Sequence, residues 1–185
     1  LLPVYLVTVL GASATTVGAI EGIAEATASV TKVFSGALSD WLGKRKFLVV
    51  LGYGLAAFTK PVFPLAPSIA WLVGARFVDR IGKGIRTAPR DALVADATPP
   101  EIHGYAYGFH RAMDNGGAMG GALIAAAVLT WTQFSLQQVI LWSVVPGVIV
   151  VLLVAFGIQE PVKKVAAADR VALPPLRFGL LSKPM

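Results

Sequence analysis

The sequence contains no cysteine and few charged residues, and these two shortages exclude several classes of protein. Without cysteine, the 185 residues can form no disulfide, thiolate metal site or thiol nucleophile. Charged residues make up 14% of the chain, whereas a soluble domain of this size carries about a quarter. Hydrophobic residues reach 56%. This composition is typical of a protein surrounded by lipid, and it predicts an all-α membrane protein.

Motifs of catalysis and cofactor binding are also missing. Gly82-Lys83-Gly84 lacks the GxxxxGK[ST] pattern of a phosphate-binding loop, and no supported Ser/His/Asp arrangement occurs. His110 and Asp114 stand one helical turn apart, but a convincing metal site needs more converging ligands. We therefore predict no enzymatic activity, no cofactor and no metal.

Long apolar runs fill most of the chain and predict membrane-spanning helices. About 20 helical residues cross a hydrocarbon core about 30 Å thick. Residues 1–10 are too few and open inside an apolar run, so we expect the end of a first helix that is mostly missing. Five further spans are predicted at residues 14–38, 47–66, 70–96, 104–130 and 137–158. Residues 159–185, rich in Pro, Lys and Arg, are predicted to form a linker or tail.

The basic residues of the connections predict the orientation. The loop at 39–46 carries Lys44, Arg45 and Lys46, and the tail carries Lys163, Lys164, Arg170, Arg177 and Lys183. The turns at 65–68 and 130–138 carry no charge. The positive-inside rule places the basic loop and tail in the cytoplasm and the bare turns outside. The net charge of +6 therefore reflects membrane topology, and no nucleic-acid partner is predicted.

The loop after the second predicted helix has a regular pattern of small, acidic and basic residues. It reads Gly36-x-Leu38-x-Asp40-x-x-Gly43-x-Arg45-Lys46-x-Leu48. Gly36 lets another helix approach closely, and Gly43 permits a tight turn. The pattern resembles the signature between helices two and three of the major facilitator superfamily. A plain solvated turn, whose charges only enforce topology, is the alternative.

This resemblance implies a fold and a mechanism. The chain would be the N-terminal six-helix bundle of the superfamily fold, paired with a C-terminal six-helix half that is missing from this sequence. In that family two bundles rock around a central site and give alternating access. The resemblance implies that Asp40 and Arg45 help to lock one conformational state by bridging the two halves.

The fourth predicted span carries more charge than membrane helices usually hold. Each charge near the bilayer centre costs roughly 2.5–3.5 kcal/mol on insertion scales. The charged residues are Arg76, Asp79, Arg80, Lys83, Arg86, Arg90, Asp91 and Asp96. Most recur every three or four residues, and a stripe on one helix face must contact protein, water or headgroups. For the lower half of the helix, basic side chains that snorkel to the headgroups are the alternative.

Residues 76–84 resemble the fourth-helix motif of the same superfamily, which is often linked to proton coupling. Arg76, Gly82 and Gly84 match it, whereas Asp79 and Arg80 stand where Gln and Gly are more usual. The basic face favours an anionic solute or group, although neighbouring acids offset part of this preference.

Acids in other predicted spans can compensate these bases. Glu21 and Glu25 lie one turn apart in helix two, and an acid pair within the membrane is a natural place for a proton to bind. We predict that a set of charged residues lines a transport path and couples it to protons. The set is Glu21, Glu25, Arg76, Asp79, Lys83, His110, Arg111 and Asp114. The alternative places Glu21 and Glu25 at the outer headgroups as ordinary solvated acids.

Glycines in the fifth predicted span form two interleaved GxxxG patterns, at Gly116, Gly117, Gly120 and Gly121. Such residues allow close contact between membrane helices, so a packing interface is predicted here.

The function implied by the resemblance is a proton-coupled secondary transporter of a small solute in the bacterial inner membrane. Its partners would be the lipid bilayer, the solute, protons and the missing C-terminal half. The alternative is a non-transporting membrane component, such as a receptor, an assembly partner or a truncated pseudo-transporter.

Overall fold

A computed structural model describes residues 2–9, 11–66 and 68–158, and this part of the chain is helical, with no strand. The α-helices are α1 Leu2–Thr8, α2 Ala14–Leu42, α3 Arg45–Thr59, α4 Val62–Leu65, α5 Ile69–Ala97, α6 His103–Trp131, α7 Leu136–Trp142 and α8 Val144–Leu152. A 3-10 turn at Pro100–Ile102 precedes α6, and a π-helical turn at Leu153–Gly157 follows α8. The predicted tail, 159–185, lies outside the described residues, as do Leu1, Leu10 and Pro67.

Local sequence explains where the long helices begin and end. Ser13, Ser68 and Ser135 precede α2, α5 and α7, and each side chain accepts a hydrogen bond from a backbone N–H of the first turn. Gly43 ends α2 in the left-handed conformation, with φ of 63°, and its N–H bonds the Ser39 carbonyl at 3.0 Å. The predicted loop at 39–46 is therefore shorter than expected, because α2 continues to Leu42 and α3 begins at Arg45.

Two of the predicted spans are each divided into two helices. The span at 47–66 contains α3 and α4, separated at Lys60 and Pro61, where a proline cannot donate to the helical ladder. The span at 137–158 contains α7, α8 and the π-helical turn, with the break at Ser143.

Helix α5 packs between α2 and α3, and glycines set its separation from both. A Cβ atom added to Gly84 would lie 2.7 Å from the Ala28 carbonyl oxygen of α2. A Cβ atom added to Gly52 of α3 would lie 2.5 Å from the Gly82 carbonyl oxygen of α5. Any larger residue would push these backbones apart, so these three glycines fix the α2–α5–α3 packing.

Apolar clusters lie at both ends of this packed unit. One contains Tyr5, Leu6, Phe63, Leu72 and Ile140 and joins α1, α4, α5 and α7. The other contains Val49, Leu93 and Val154, from α3, α5 and the π-helical turn. The two clusters hold short α1 and the two-part sixth span against the α3–α5 pair.

Three helical segments of the described chain are long and apolar enough to cross a membrane: Arg45–Leu65, Pro100–Trp131 and Leu136–Gly157. Helices α2 and α5 have 29 residues each but carry more polar sequences. These findings confirm the prediction of an all-α membrane protein. The six-helix count and the incomplete first helix remain predictions.

Candidate functional site

A row of ion pairs connects α2 to α5. Glu21 Oε2 lies 2.6 Å from Arg76 Nη2 and 3.2 Å from Arg80 Nη2. Glu25 lies 2.8 Å from both Arg80 Nη1 and Lys83 Nζ. Asp79 Oδ2 lies 3.6 Å from Arg76 Nη1 on the same helix. We call these six residues the ion-pair ladder.

The spacing on the two helices produces this ladder. Glu21 and Glu25 on α2 are four residues apart, as are Arg76 and Arg80 on α5, so both pairs face one direction. The ladder contains as many acids as bases, and their attraction offsets part of the cost of removing these charges from water. The burial differs along it: the Arg76 side chain is 14% exposed, whereas that of Glu25 is 54% exposed. Solvent therefore reaches the Glu25–Lys83 end.

Close contact between the helix backbones keeps the ladder together. Ser35 on α2 is buried and donates a hydrogen bond from its hydroxyl to the Gly84 carbonyl oxygen at 2.9 Å. A Cβ atom added to Gly36 would lie 3.4 Å from Ala88 Cβ on α5. The contacts at Gly84 and Gly36 bring α2 near enough for Glu21 and Glu25 to reach the bases of α5.

A second group of charged side chains joins three helices. Arg90 Nη2 on α5 lies 3.1 Å from Asp114 Oδ2 on α6 and 3.6 Å from Asp91 Oδ1. Lys32 Nζ on α2 lies 3.8 Å from Asp91 Oδ2, and His110 Nε2 lies 3.7 Å from Asp114 Oδ2. We call these residues the three-helix cluster. It links α6 to α2 and α5.

Asp40, Arg45 and Asp96 form a group at the end of α2 where the signature loop was predicted, and we call it the cytoplasmic cluster after the side predicted for that loop. Arg45 pairs with Asp96 of α5, donates to the Ala92 carbonyl at 3.4 Å and lies 3.1 Å from Asp40 Oδ1. Asp96 is mostly buried, whereas the Asp40 side chain is 71% exposed. Arg45 thus ties the ends of α2, α3 and α5 together, with Asp40 at the surface. Lys46 lies in the first turn of α3 and is partly buried.

The structure separates the residues that were predicted to line one path. Glu21, Glu25, Arg76, Asp79 and Lys83 come together in the ladder. Asp114 and His110 belong to the three-helix cluster instead, because Arg90 is the base that faces α6. Arg111 is exposed and makes no ion pair within the described chain. The acids of the ladder contact bases of α5, and the proton-binding role expected for Glu21 and Glu25 remains a prediction.

Sequence reasoning missed several partners in these groups. They are Lys32, Arg80, Arg90, Asp91 and Asp96. The matching four-residue spacing of acids on α2 and bases on α5 was the signal that could have found Arg80. No comparable spacing in the sequence predicted the ion pair between Arg45 and Asp96, which are far apart along the chain.

The glycines of α6 make no close helix contact in the described residues. A Cβ atom added to Gly116, Gly117, Gly120 or Gly121 would have no other residue's atom within 4 Å. The close contacts lie at Gly52, Gly82 and Gly84 instead, because those glycines face the α2–α5–α3 crossings. Packing through the α6 glycines therefore remains a prediction about a helix outside the described residues.

The packed helices and the three apolar spans define the class of the chain as an all-α membrane protein. A model of the Major Facilitator Superfamily matches residues 1–184, and the chain belongs to this superfamily. Membership confirms the resemblance seen in the sequence and favours transport over catalysis. Among the described residues, no group of three or more His, Cys, Asp or Glu side chains could hold a metal ion.

Several curated proteins are similar to this chain. An uncharacterized MFS-type transporter of Methanocaldococcus jannaschii is 34% identical over 158 residues, covering 84% of this chain and 39% of the relative. An uncharacterized protein of Mycobacterium tuberculosis is 32% identical, covering 66% of this chain and 30% of the relative. The multidrug resistance protein MdtH of Photorhabdus laumondii is 31% identical, covering 71% and 32%. The chain thus spans less than two fifths of these relatives.

Proposed function

We propose that this chain is the N-terminal six-helix half of a secondary transporter that moves a small solute across the bacterial inner membrane. A C-terminal half would complete the central site, and the two halves would give alternating access. The ion-pair ladder carries this proposal, because ionisable groups inside a membrane helix bundle mark solute or ion pathways. Family membership and relatives named as transporters support it.

The ladder suits a path along which a solute moves, because its acids and bases can exchange ion-pair partners. Arg80 contacts both Glu21 and Glu25, and Glu25 contacts both Arg80 and Lys83. A solute or proton that binds one member lets its partner turn to a neighbouring group of opposite charge, as Arg80 can turn from Glu25 to Glu21. The exposed Glu25–Lys83 end is the place where a solute would enter this network.

Proton coupling is part of the proposal, with the ladder acids and the His110–Asp114 pair as candidate carriers. His110 Nε2 lies 3.7 Å from Asp114 Oδ2, one helical turn away on α6. Asp114 also pairs with Arg90, so a proton gained by Asp114 would weaken the Arg90–Asp114 link between α5 and α6.

The cytoplasmic cluster would act as the gate. We place the α2–α3 loop in the cytoplasm, on the side to which Lys44, Arg45 and Lys46 point by the positive-inside rule. Asp40 is exposed and can reach a partner in the C-terminal half, while Arg45 holds it in position.

Transport by the full-length protein in liposomes tests this proposal. A panel of solutes is added outside vesicles that contain a pH-sensitive dye, and a coupled carrier changes the lumenal pH with its solute. Glu25→Gln should reduce that signal and alter its pH dependence, whereas Glu101→Gln, an exposed acid in the 3-10 turn, should not. Solute binding without flux would identify a non-transporting membrane component and contradict the proposal.

A further inference from the structure

Among the described residues, no carboxylate lies within ion-pair distance of Arg86, and Asp79 and Asp114 act on it only from further away. The ladder pairs Arg76, Arg80 and Lys83 with carboxylates, and the three-helix cluster does the same for Arg90. In the part of the chain that the structure describes, Arg86 makes neither an ion pair nor a side-chain hydrogen bond to any residue. Arg86 therefore lies on α5 between two groups whose bases form ion pairs, and it forms none itself among the described residues.

The position of Arg86 makes this lack of an ion pair costly. It lies about one turn from the middle of α5, a helix of 29 residues, and therefore near mid-membrane in the proposed transporter. Evolved membrane helices hold such a charge only where it faces protein or water, and usually where it has a function. Arg86 is half-buried in the structure.

The contact that Arg86 does make prepares it to bind an anion. Its guanidinium carbon lies 4.4 Å from the centre of the Tyr53 ring on α3. Gly52 permits this contact, because a Cβ atom there would lie 2.6 Å from Arg86 Cβ. Stacking on a ring fixes the plane of a guanidinium and leaves the N–H groups at its edge free to donate. A fixed planar fork of donors matches a carboxylate or a phosphate.

The more exposed end of the ladder lies close to Arg86 along α5. Lys83, one turn before Arg86, has a side chain that is 40% exposed, and its partner Glu25 is 54% exposed. The open end of the ladder therefore lies next to Arg86.

We propose that Arg86, held against Tyr53, binds an acidic group of the transported solute, so that the solute is an organic anion with a carboxylate or phosphate. This inference rests on the proposed transport function and names its substrate class. The acidic group of the solute supplies the close counter-charge that Arg86 lacks among the described residues. The bases of the ladder can then keep their ion pairs with their own acids.

Matched anionic and neutral probes test this inference on the full-length protein in detergent. Thermal unfolding is followed with acetate, benzoate, succinate or inorganic phosphate, and with acetamide, benzamide or succinamide at equal ionic strength. At least one anion should raise the unfolding midpoint, and its amide should not. Arg86→Gln should weaken binding of that anion at least about tenfold, and Arg86→Lys should weaken it less, because the charge remains. Lys44→Gln removes an exposed base and should change nothing.

Three results would overturn the inference. One is the absence of stabilisation by every anion of the panel, and another is equal stabilisation by anion and amide. The third is unchanged anion binding in Arg86→Gln, which would assign anion binding to a different base of the protein. If Arg86→Gln does not fold, Tyr53→Leu replaces it, because loss of the ring should also weaken anion binding. Flux of a neutral solute would reject this inference and leave the proposed transport function intact.

Discussion

Glu21 on α2 and Arg76 on α5 lie with carboxylate oxygen and guanidinium nitrogen 2.6 Å apart, although 55 positions separate them in the sequence. Each is mostly buried, and each is the closest counter-charge of the other, with Arg80 as a second base near Glu21 and Asp79 as a second acid near Arg76. Their contact joins two helices that are too polar to qualify as apolar spans on their own. The two helices can lie in a membrane together because their charges neutralise each other.

Replacing one member of this pair should destabilise the protein more than replacing both. Glu21→Gln leaves Arg76 without its closest acid, and we expect a loss of about 1.5–3 kcal/mol in unfolding free energy. The double variant Glu21→Gln with Arg76→Gln should recover part of this loss, because Arg76 no longer lacks its closest acid, although Asp79 then loses the base with which it pairs. Unfolding of the full-length protein in mixed micelles measures these values. Additive losses would show that the two residues are not coupled.

Packing at Gly84 should tolerate no added methyl group. Gly84→Ala places a Cβ atom 2.7 Å from the Ala28 carbonyl of α2, and overpacking of this kind costs about 1–3 kcal/mol. Gly54→Ala on α3 is the control, since an added Cβ there has no atom within 4 Å. It should be neutral or stabilise the helix by about 0.5–1 kcal/mol. Equal effects of the two variants on the unfolding midpoint would contradict the described α2–α5 contact.

The cytoplasmic cluster should depend more on Asp96 than on Asp40. Asp96 is largely buried beside Arg45, whereas Asp40 is exposed, and exposed ion pairs contribute little to stability. Asp96→Asn should therefore lower the unfolding midpoint clearly, and Asp40→Asn should change it little. Asp40→Asn should instead alter transport, because we assign Asp40 to the gate. A larger loss of stability from Asp40→Asn would contradict this division of roles.

Lys60 should hold the break between α7 and α8 against α3. Its ammonium group donates to the Ser143 carbonyl at 3.1 Å, at the residue where the two helices meet. Lys60→Met keeps the length of the side chain and removes the charged donor. Hydrogen exchange of the α8 amides should then become faster, whereas Lys44→Met, a change in the exposed loop, should leave it unaltered. Unchanged exchange in Lys60→Met would show that this hydrogen bond does not stabilise the break.

Much of the helical framework could be predicted from the sequence because hydropathy and caps act locally. Gly43 and the serines before α2, α5 and α7 mark helix ends by rules that involve only a few neighbouring residues. The loop pattern from Gly36 to Leu48 was enough to indicate the superfamily, which the match over residues 1–184 confirms.

The arrangement of the charges could be predicted only in part. The acids of α2 were expected to compensate bases of α5, and in the structure they contact Arg76, Arg80 and Lys83. The partner of Asp114 depends on the rotation of α6 about its own axis, and periodicity alone does not give this rotation. The contact between Arg86 and Tyr53 likewise depends on how closely α3 approaches α5, which Gly52 determines through backbone contact rather than through any sequence pattern.

Reciprocal labelling of a single cysteine tests alternating access, the central claim, most directly. The 185 residues contain no cysteine, so Gly22→Cys, beside Glu21 on the exposed side of α2, gives one reactive site once any cysteine elsewhere in the full-length protein is replaced. Its labelling by a membrane-impermeant maleimide is measured from each side of the membrane, with and without Asp40→Asn. The account predicts that opening the gate speeds labelling from the cytoplasm and slows it from outside. If both rates change in the same direction, or neither changes, the chain does not belong to an alternating-access transporter.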